Sequence, residues 1–173
     1  MNRKELDNLL LRIAKGDNAA FEKLYVSTNK GVFAFLRTYL HNDADVEDAM
    51  QTVYLKIKTG ILSYRVGTNG SAWILQIAKN HALNELKKRK NVVSLQDVEY
   101  TLSTDEPHVP FGITDVMERV LTEEEQRIIT MHVLWRYKHR EIAQTLEKPT
   151  GTITSTYKRA IEKLKKALKE ENI

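Results

Sequence analysis

From Ile153 to Leu168, apolar side chains return at Ile153, Tyr157, Ile161, Leu164 and Leu168, in steps of four, four, three and four. Only an α-helix gathers such positions on one face, because it turns once in about 3.6 residues. The same beat runs through most of the chain. It predicts a helix over Arg3–Lys15, with Leu6, Leu9, Leu10 and Ile13 inward. Gly16, Asp17 and Asn18 then break the chain, and a second helix from about Ala19 carries Phe21, Leu24 and Tyr25 and continues through Val32, Phe35, Leu36 and Leu40. Gly31 is a weak interruption in it. A third helix is predicted from about Val46 to Lys58, with Asp43 or Asp45 capping its start. Further helices follow over about Ser71–Arg89, Asp115–Val120, Glu123–Trp135, His139–Thr145 and Thr150–Glu171. No segment alternates as a strand does, so the expected fold class is all-α.

One stretch breaks the rhythm. Residues 91–114 hold two prolines and a glycine and show no helical period. This predicts a flexible acidic linker between two small helical domains, residues 1–90 and 115–173. Charge divides the same way. Residues 1–90 carry +6, residues 91–118 carry −6 with no Lys or Arg, and residues 119–173 carry +4. Basic blocks suit a polyanion, since each phosphate contact releases counterions. A set of solvated lysine-rich helix faces is the plainer reading of the same charge.

Absences narrow the function classes. With no cysteine, the chain has no disulfide, thiolate metal site or thiol nucleophile. The five histidines are scattered, and none stands at metal-ligand spacing from a second ligand. No phosphate-cradling glycine loop and no Ser–His–Asp arrangement stands out. No apolar run approaches the length of a membrane span, and the N-terminus does not read as a signal peptide. Neither an enzyme nor a cofactor is expected.

Three constellations carry chemistry. The first is HREIAQTL followed by a short turn and TGTITSTYKRA. Two short amphipathic helices across a tight turn make a helix-turn-helix, whose second helix enters the major groove of DNA. Its outer face would offer Thr150, Gly151, Thr152, Thr154, Ser155 and Thr156 to base edges or phosphates. Lys158 and Arg159 would hold phosphates. An ordinary helical hairpin has the same spacing. The second constellation is DADVEDAMQT, where Asp45, Glu47, Asp48 and Gln51 share an outer face opposite Val46, Met50 and Val53. Acids in a first turn favour the helix dipole, and an acidic face can also dock a basic partner. The third is AWILQIAKNHALNELKKRK. Gln76, Asn80, Asn84 and Lys87 line a polar strip that runs into a basic end at Lys88, and Tyr64 and Trp73 bracket the loop RVGTNG before it. Amides suit base contacts, and aromatics beside a loop can stack an unpaired base, although a lone Tyr or Trp is more often core.

In this order, DVEDAMQ, the aromatic-flanked loop, AW-x-x-x-IA-x-N-x-A-x-N, an acidic linker, LTEEEQRII and REIAQTL-x-x-x-x-GTI-x-S-x-x-x-RA, the chain resembles the small two-domain sigma factors of bacterial RNA polymerase, the extracytoplasmic-function type. The resemblance runs from about Ala19 to Leu168. It implies that Asp45, Glu47, Asp48 and Gln51 dock on the clamp helices of the largest polymerase subunit. The loop, with Tyr64, Arg65, Thr68 and Asn69, and the strip of Trp73, Gln76, Ile77, Asn80, Asn84, Lys87 and Lys88 would melt the minus-ten element of promoter DNA and hold a flipped base. The linker would thread toward the active-site cleft. The C-terminal domain would read the minus-thirty-five element and meet the flap of the second-largest subunit. An anti-sigma factor is a further expected partner, and the cytoplasm the expected location.

The sequence departs from the family pattern at Glu147, where the turn usually has glycine, so a different turn is expected. Pro149 stands in place of a hydroxyl cap, Thr52 in place of an acid, and Thr154 and Thr156 at positions that are often basic. Two rival readings remain at this level. One is a helix-turn-helix regulator that binds duplex DNA without polymerase. The other is a helical adaptor with no nucleic-acid role.

Overall fold

The computed structural model describes residues 3–65, 67–93 and 113–170. Among them the secondary structure is helical throughout, with no strand. The helices are α1 (Arg3–Ala14), α2 (Asn18–Leu40), α3 (Asp43–Gly60), α4 (Gly70–Val93), α5 (Ile113–Val120), α6 (Glu123–Val133), α7 (His139–Leu146) and α8 (Thr150–Glu170), and a single 3₁₀ turn, Ile61–Ser63, follows α3. The ends of the predicted linker are helical. Asn91–Val93 extend α4 and Ile113 opens α5, while residues 94–112 lie outside the described residues.

Short polar side chains set the helix starts. Asp17 caps α2 by accepting from Ala20 N at 3.0 Å. Asn42, not Asp43 or Asp45, caps α3, accepting from Asp45 N at 3.2 Å, so the helix begins three residues earlier than its apolar pattern predicts. An Asn side chain one position upstream reaches the orphan N–H groups that Asp43, already helical, cannot. Thr122 and Glu125 form a reciprocal capping box at α6. α2 runs unbroken through Gly31 for 23 residues, although glycine inside a helix costs roughly 1 kcal/mol relative to alanine.

The first four helices close on one core. Leu10, Leu24, Leu36, Ile57, Ile74 and Leu75 are all fully buried. Each contributes about 1.5–3 kcal/mol on removal from water. α6, α7, α8 and the connection between α6 and α7 add to the same cluster through Ile128, Met131, Tyr137, Ile142 and Ile153, so apolar packing is continuous between the two helix groups. A smaller core unites α5, α6 and α8 around Val116, Leu121, Ile129, Ala160, Leu164 and Ala167.

The buried stripe of α8 differs from the one its large apolar residues predict. Ile153, Thr156, Ala160, Leu164 and Ala167 are buried, whereas Tyr157, Ile161 and Leu168 flank them, half-buried. Small side chains at 156, 160 and 167 let α8 approach its neighbours closely, and close packing decides which of two adjacent stripes faces inward.

The turn before α8 keeps the left-handed geometry that glycine usually supplies. Glu147 has φ 57° and ψ 44°, and its N–H donates to Ala143 O. The expectation of a different turn is thereby corrected; the ordinary turn forms at a cost of about 1 kcal/mol. Pro149 precedes the helix, which starts at Thr150, and Pro149 O accepts from Ile153 N.

Candidate nucleic-acid interface and docking face

The start of α8 stands out from the body of the protein. Thr150, Gly151, Thr152, Ser155, Lys158 and Arg159 are exposed. Gly151 faces open space. Thr154 is half-buried; its hydroxyl donates to Thr150 O at 3.0 Å and lies 3.1 Å from His139 Nδ1. Thr156 is 5% exposed and accepts from Arg159 Nη2 at 3.3 Å. Its assignment to the DNA-reading face is corrected: Thr156 belongs to the core-facing stripe. Behind Thr154 the fold brings together His132, His139 and Tyr157, with ring centroids 4.6–5.0 Å apart. Linear spacing hid this cluster, because three different elements supply it. Burial first, and His132 second, hold His139 below the ordinary histidine range.

On α4 the predicted strip is real and outward. Gln76, Asn80, Asn84, Lys87 and Lys88 are exposed, and Gln76 Nε2 donates to Asn80 Oδ1 at 2.8 Å, which fixes the two amides relative to each other. Ile74, Ala78 and Ala82 anchor the opposite face in the core. Trp73 and Ile77 are partly buried against that core and each keeps an outer edge. Leu83, apolar and on the same helix, is 44% exposed.

The loop before α4 holds a correction. Tyr64 is buried; its hydroxyl donates to Asp7 Oδ1 at 2.7 Å and its ring packs on Trp73 at 5.4 Å. Burial, and then the Asp7 carboxylate, raise its pKa to about 12. A ring so enclosed cannot stack an unpaired base; Tyr64 ties the loop to α1. Asp7, which also accepts from Gly70 N at 3.3 Å, is the partner that sequence spacing did not reveal. Arg65 and Thr68 are exposed, and Asn69 caps α4 by accepting from Ala72 N. Gly67 takes φ 82°, a conformation that favours glycine.

On α3, Glu47, Asp48 and Gln51 are exposed while Val46, Ala49, Met50 and Val53 are buried. Asp45 is half-buried and paired with Arg89 of α4 at 2.7 Å. Between α3 and α4 lies a groove of about 450 Å³ lined by Thr52, Lys56, His81, Asn84, Lys87 and Lys88. Burial first, then Lys56, keep His81 below the usual histidine range. Lys56 and His81 were missed because they meet only across two helices. Among the described residues no three His, Asp or Glu side chains gather to hold a metal, and no helix is long and apolar enough to cross a membrane.

Two family models match the chain: Sigma-70 region 2 over residues 24–92 and Sigma-70, region 4 over residues 119–164. Among curated relatives, the RNA polymerase sigma-H factor of Pseudomonas aeruginosa is 23% identical, covering 97% of this chain and 96% of the relative. The ECF RNA polymerase sigma-E factor of Escherichia coli is 26% identical over 94% of each. The fold is similar to that of a Bartonella quintana sigma factor, RpoE, solved with the anti-sigma factor NepR: TM-score 0.68, 21% identity, 86% of this chain and 96% of that one. It is also similar to CnrH, solved with the cytosolic domain of CnrY: TM-score 0.64, 15% identity, 96% of this chain and 98% of that one. With both regions present in order, and relatives matched over nearly their whole length, the chain belongs to the extracytoplasmic-function sigma factors, alternative sigma factors that direct RNA polymerase to promoters.

Proposed function

We propose that this chain binds core RNA polymerase through α3, opens the minus-ten element with α4 and its preceding loop, and reads the minus-thirty-five element with α8. Residues 1–90 form the docking and melting domain, residues 91–114 the linker and residues 115–173 the upstream-reading domain. The carrying observation is exposure: Glu47, Asp48 and Gln51 of α3, Gln76, Asn80 and Asn84 of α4, and Thr150, Thr152 and Ser155 of α8 are exposed, each with its helix anchored in core on the opposite side. Exposed acids beyond the first turn of α3 suit a basic docking surface. Glu47, Asp48 and Gln51 present that surface, and Asp45 sits at its edge, held by Arg89.

On α4, the Gln76–Asn80 amide pair offers donors and acceptors to base edges, and Ile77 and Trp73 supply an apolar floor for a base taken out of the stack. Arg65, Thr68 and Asn69 approach the strand, and Lys87 and Lys88 hold its phosphates. Thr150, Gly151, Thr152, Thr154 and Ser155 face the major groove, with Lys158 and Arg159 on the backbone. The chain works in the cytoplasm, performs no catalysis itself, and is regulated by an anti-sigma factor; the similar sigma factor RpoE was solved with the anti-sigma factor NepR.

The test is transcription from fragmented host DNA by core polymerase with and without the chain, sequencing transcript 5′ ends. Discrete starts that depend on the chain are expected. Asp48→Lys should abolish core binding and leave helicity intact. Asn80→Ala should impair opening more than core binding. Binding of intact palindromic duplex without any affinity for core would overturn the reading.

A further inference from the structure

The Thr154 hydroxyl is engaged from two sides. It donates to Thr150 O at 3.0 Å, one turn back in α8, and its oxygen lies 3.1 Å from His139 Nδ1. A hydroxyl has one proton and a carbonyl only accepts, so both bonds form only when His139 Nδ1 donates. The ring has a single proton to place: burial first, then His132, hold its pKa below the ordinary 6.5. His139 Nε2 is buried and meets no partner. A proton on Nε2 would be stranded there, and Thr154 would lose one of its two bonds. The neutral ring therefore carries its proton on Nδ1, facing Thr154.

Neighbouring rings hold that imidazole in place. His139 opens α7, and its ring lies 4.9 Å from Tyr157, one turn beyond Thr154 on α8, and 5.0 Å from His132 in the last turn of α6. His132 and Tyr157 are themselves 4.6 Å apart. His132 Nδ1 donates to Tyr137 O at 2.8 Å, which fixes the second histidine in turn. Three helices thus clamp one imidazole against one threonine.

This decides what α8 can show to DNA at position 154. A hydroxyl whose proton is committed to Thr150 O cannot donate to N7, O6 or O4, the acceptors of the major groove. The γ-methyl is the end of the side chain that remains. Gly151, three residues earlier and exposed, has no side chain to cover it. A threonine methyl suits the C5-methyl group that marks thymine in the major groove. We propose that Thr154 reads a thymine through its methyl group, and that His139 is the positioning residue that holds the hydroxyl inward. This rests on the assignment of α8 to the upstream promoter element.

The test uses the full chain bound to core RNA polymerase and duplex DNA with a randomised upstream element. Each thymine of the enriched sequence is then replaced singly by deoxyuridine, which lacks only the C5-methyl. One replacement should weaken wild-type binding about three- to fivefold, the scale of one buried methyl group. Thr154→Ser keeps the hydroxyl and removes the methyl, so it should bind the thymine and deoxyuridine duplexes alike at that position. Thr154→Val keeps a methyl and removes the hydroxyl, so it should retain the wild-type ratio. His139→Phe keeps a ring beside Tyr157 but loses the Nδ1–H. The Thr154 hydroxyl is then free to turn outward, and the ratio should fall toward one. Each ratio compares two duplexes on the same protein, so a loss of folded molecules does not move it. A wild-type ratio in His139→Phe would overturn the positioning role. A Thr154→Ser variant that keeps the wild-type ratio at every thymine, or a Thr154→Val variant that binds both duplexes alike, would overturn the methyl readout. If no upstream sequence is enriched although the chain binds core, the assignment of α8 itself fails, and this inference with it.

Discussion

The Glu125 carboxylate lies 2.8 and 2.9 Å from the Lys163 ammonium and joins the start of α6 to the middle of α8 across the smaller core. Glu125 is only 5% exposed. Burial raises its pKa, but Lys163 and the Thr122 N–H together outweigh burial, and the carboxyl ends below its ordinary 4.5. Lys163 thus serves the fold.

Lys163→Met should destabilise the protein by about 2 kcal/mol at pH 7, since it strands a buried carboxylate. A depressed carboxyl contributes stability above its unfolded value of 4.5, and that contribution is lost as pH falls through the folded value. The gap between wild type and variant in urea denaturation should therefore shrink toward pH 3. A gap constant with pH would mean that lost packing, not charge, explains the cost.

Tyr64→Phe removes a buried hydroxyl from Asp7. Stability should fall by about 1–2 kcal/mol. Promoter opening per folded molecule, followed by fluorescence of a base analogue in the minus-ten element, should stay at the wild-type level. A selective loss of opening would restore Tyr64 to the DNA-contacting set.

Neighbours on α8 should separate cleanly. Thr156→Ala should cost about 1 kcal/mol of stability with the same preferred upstream sequence. Ser155→Ala should leave stability within about 0.5 kcal/mol and alter sequence preference in a selection from randomised upstream elements. Lys158→Ala should weaken all upstream sequences alike and lower the slope of log affinity against log salt by about 1.

The histidines set an acid-side limit. His139 and His81 are both held below 6.5, so the fold prefers their neutral forms. That contribution is whole above 6.5 and is lost as pH falls below it, because the unfolded chain then takes up more protons. Melting temperature should drop between pH 7.5 and 5.5. His139→Gln should flatten the drop, with His81 supplying what slope remains.

Glu147→Gly should raise stability by about 0.5–1 kcal/mol, since glycine takes φ 57° without strain. The Lys79 pair lost with it is small, because the Glu147 side chain is 83% exposed. An unchanged or lower melting temperature would show that the pair, not the strain, dominates.

Periodicity alone made the helices legible, with the inward faces of α1 and α3 and the exposure of Glu47, Asp48, Gln51, Asn80 and Ser155. Those features depend on periods of three and four residues, which a linear chain displays. The helix starts were less legible, because a cap such as Asn42 acts from outside the apolar pattern. The enclosure of Tyr64 by Asp7, the inward turn of Thr156 on α8 and the contact of Trp135 with Gly31 emerge only when the helices pack. Each of those depends on partners dozens of residues away. Which neighbour fills a given space is settled by packing between helices and not by the rhythm within one.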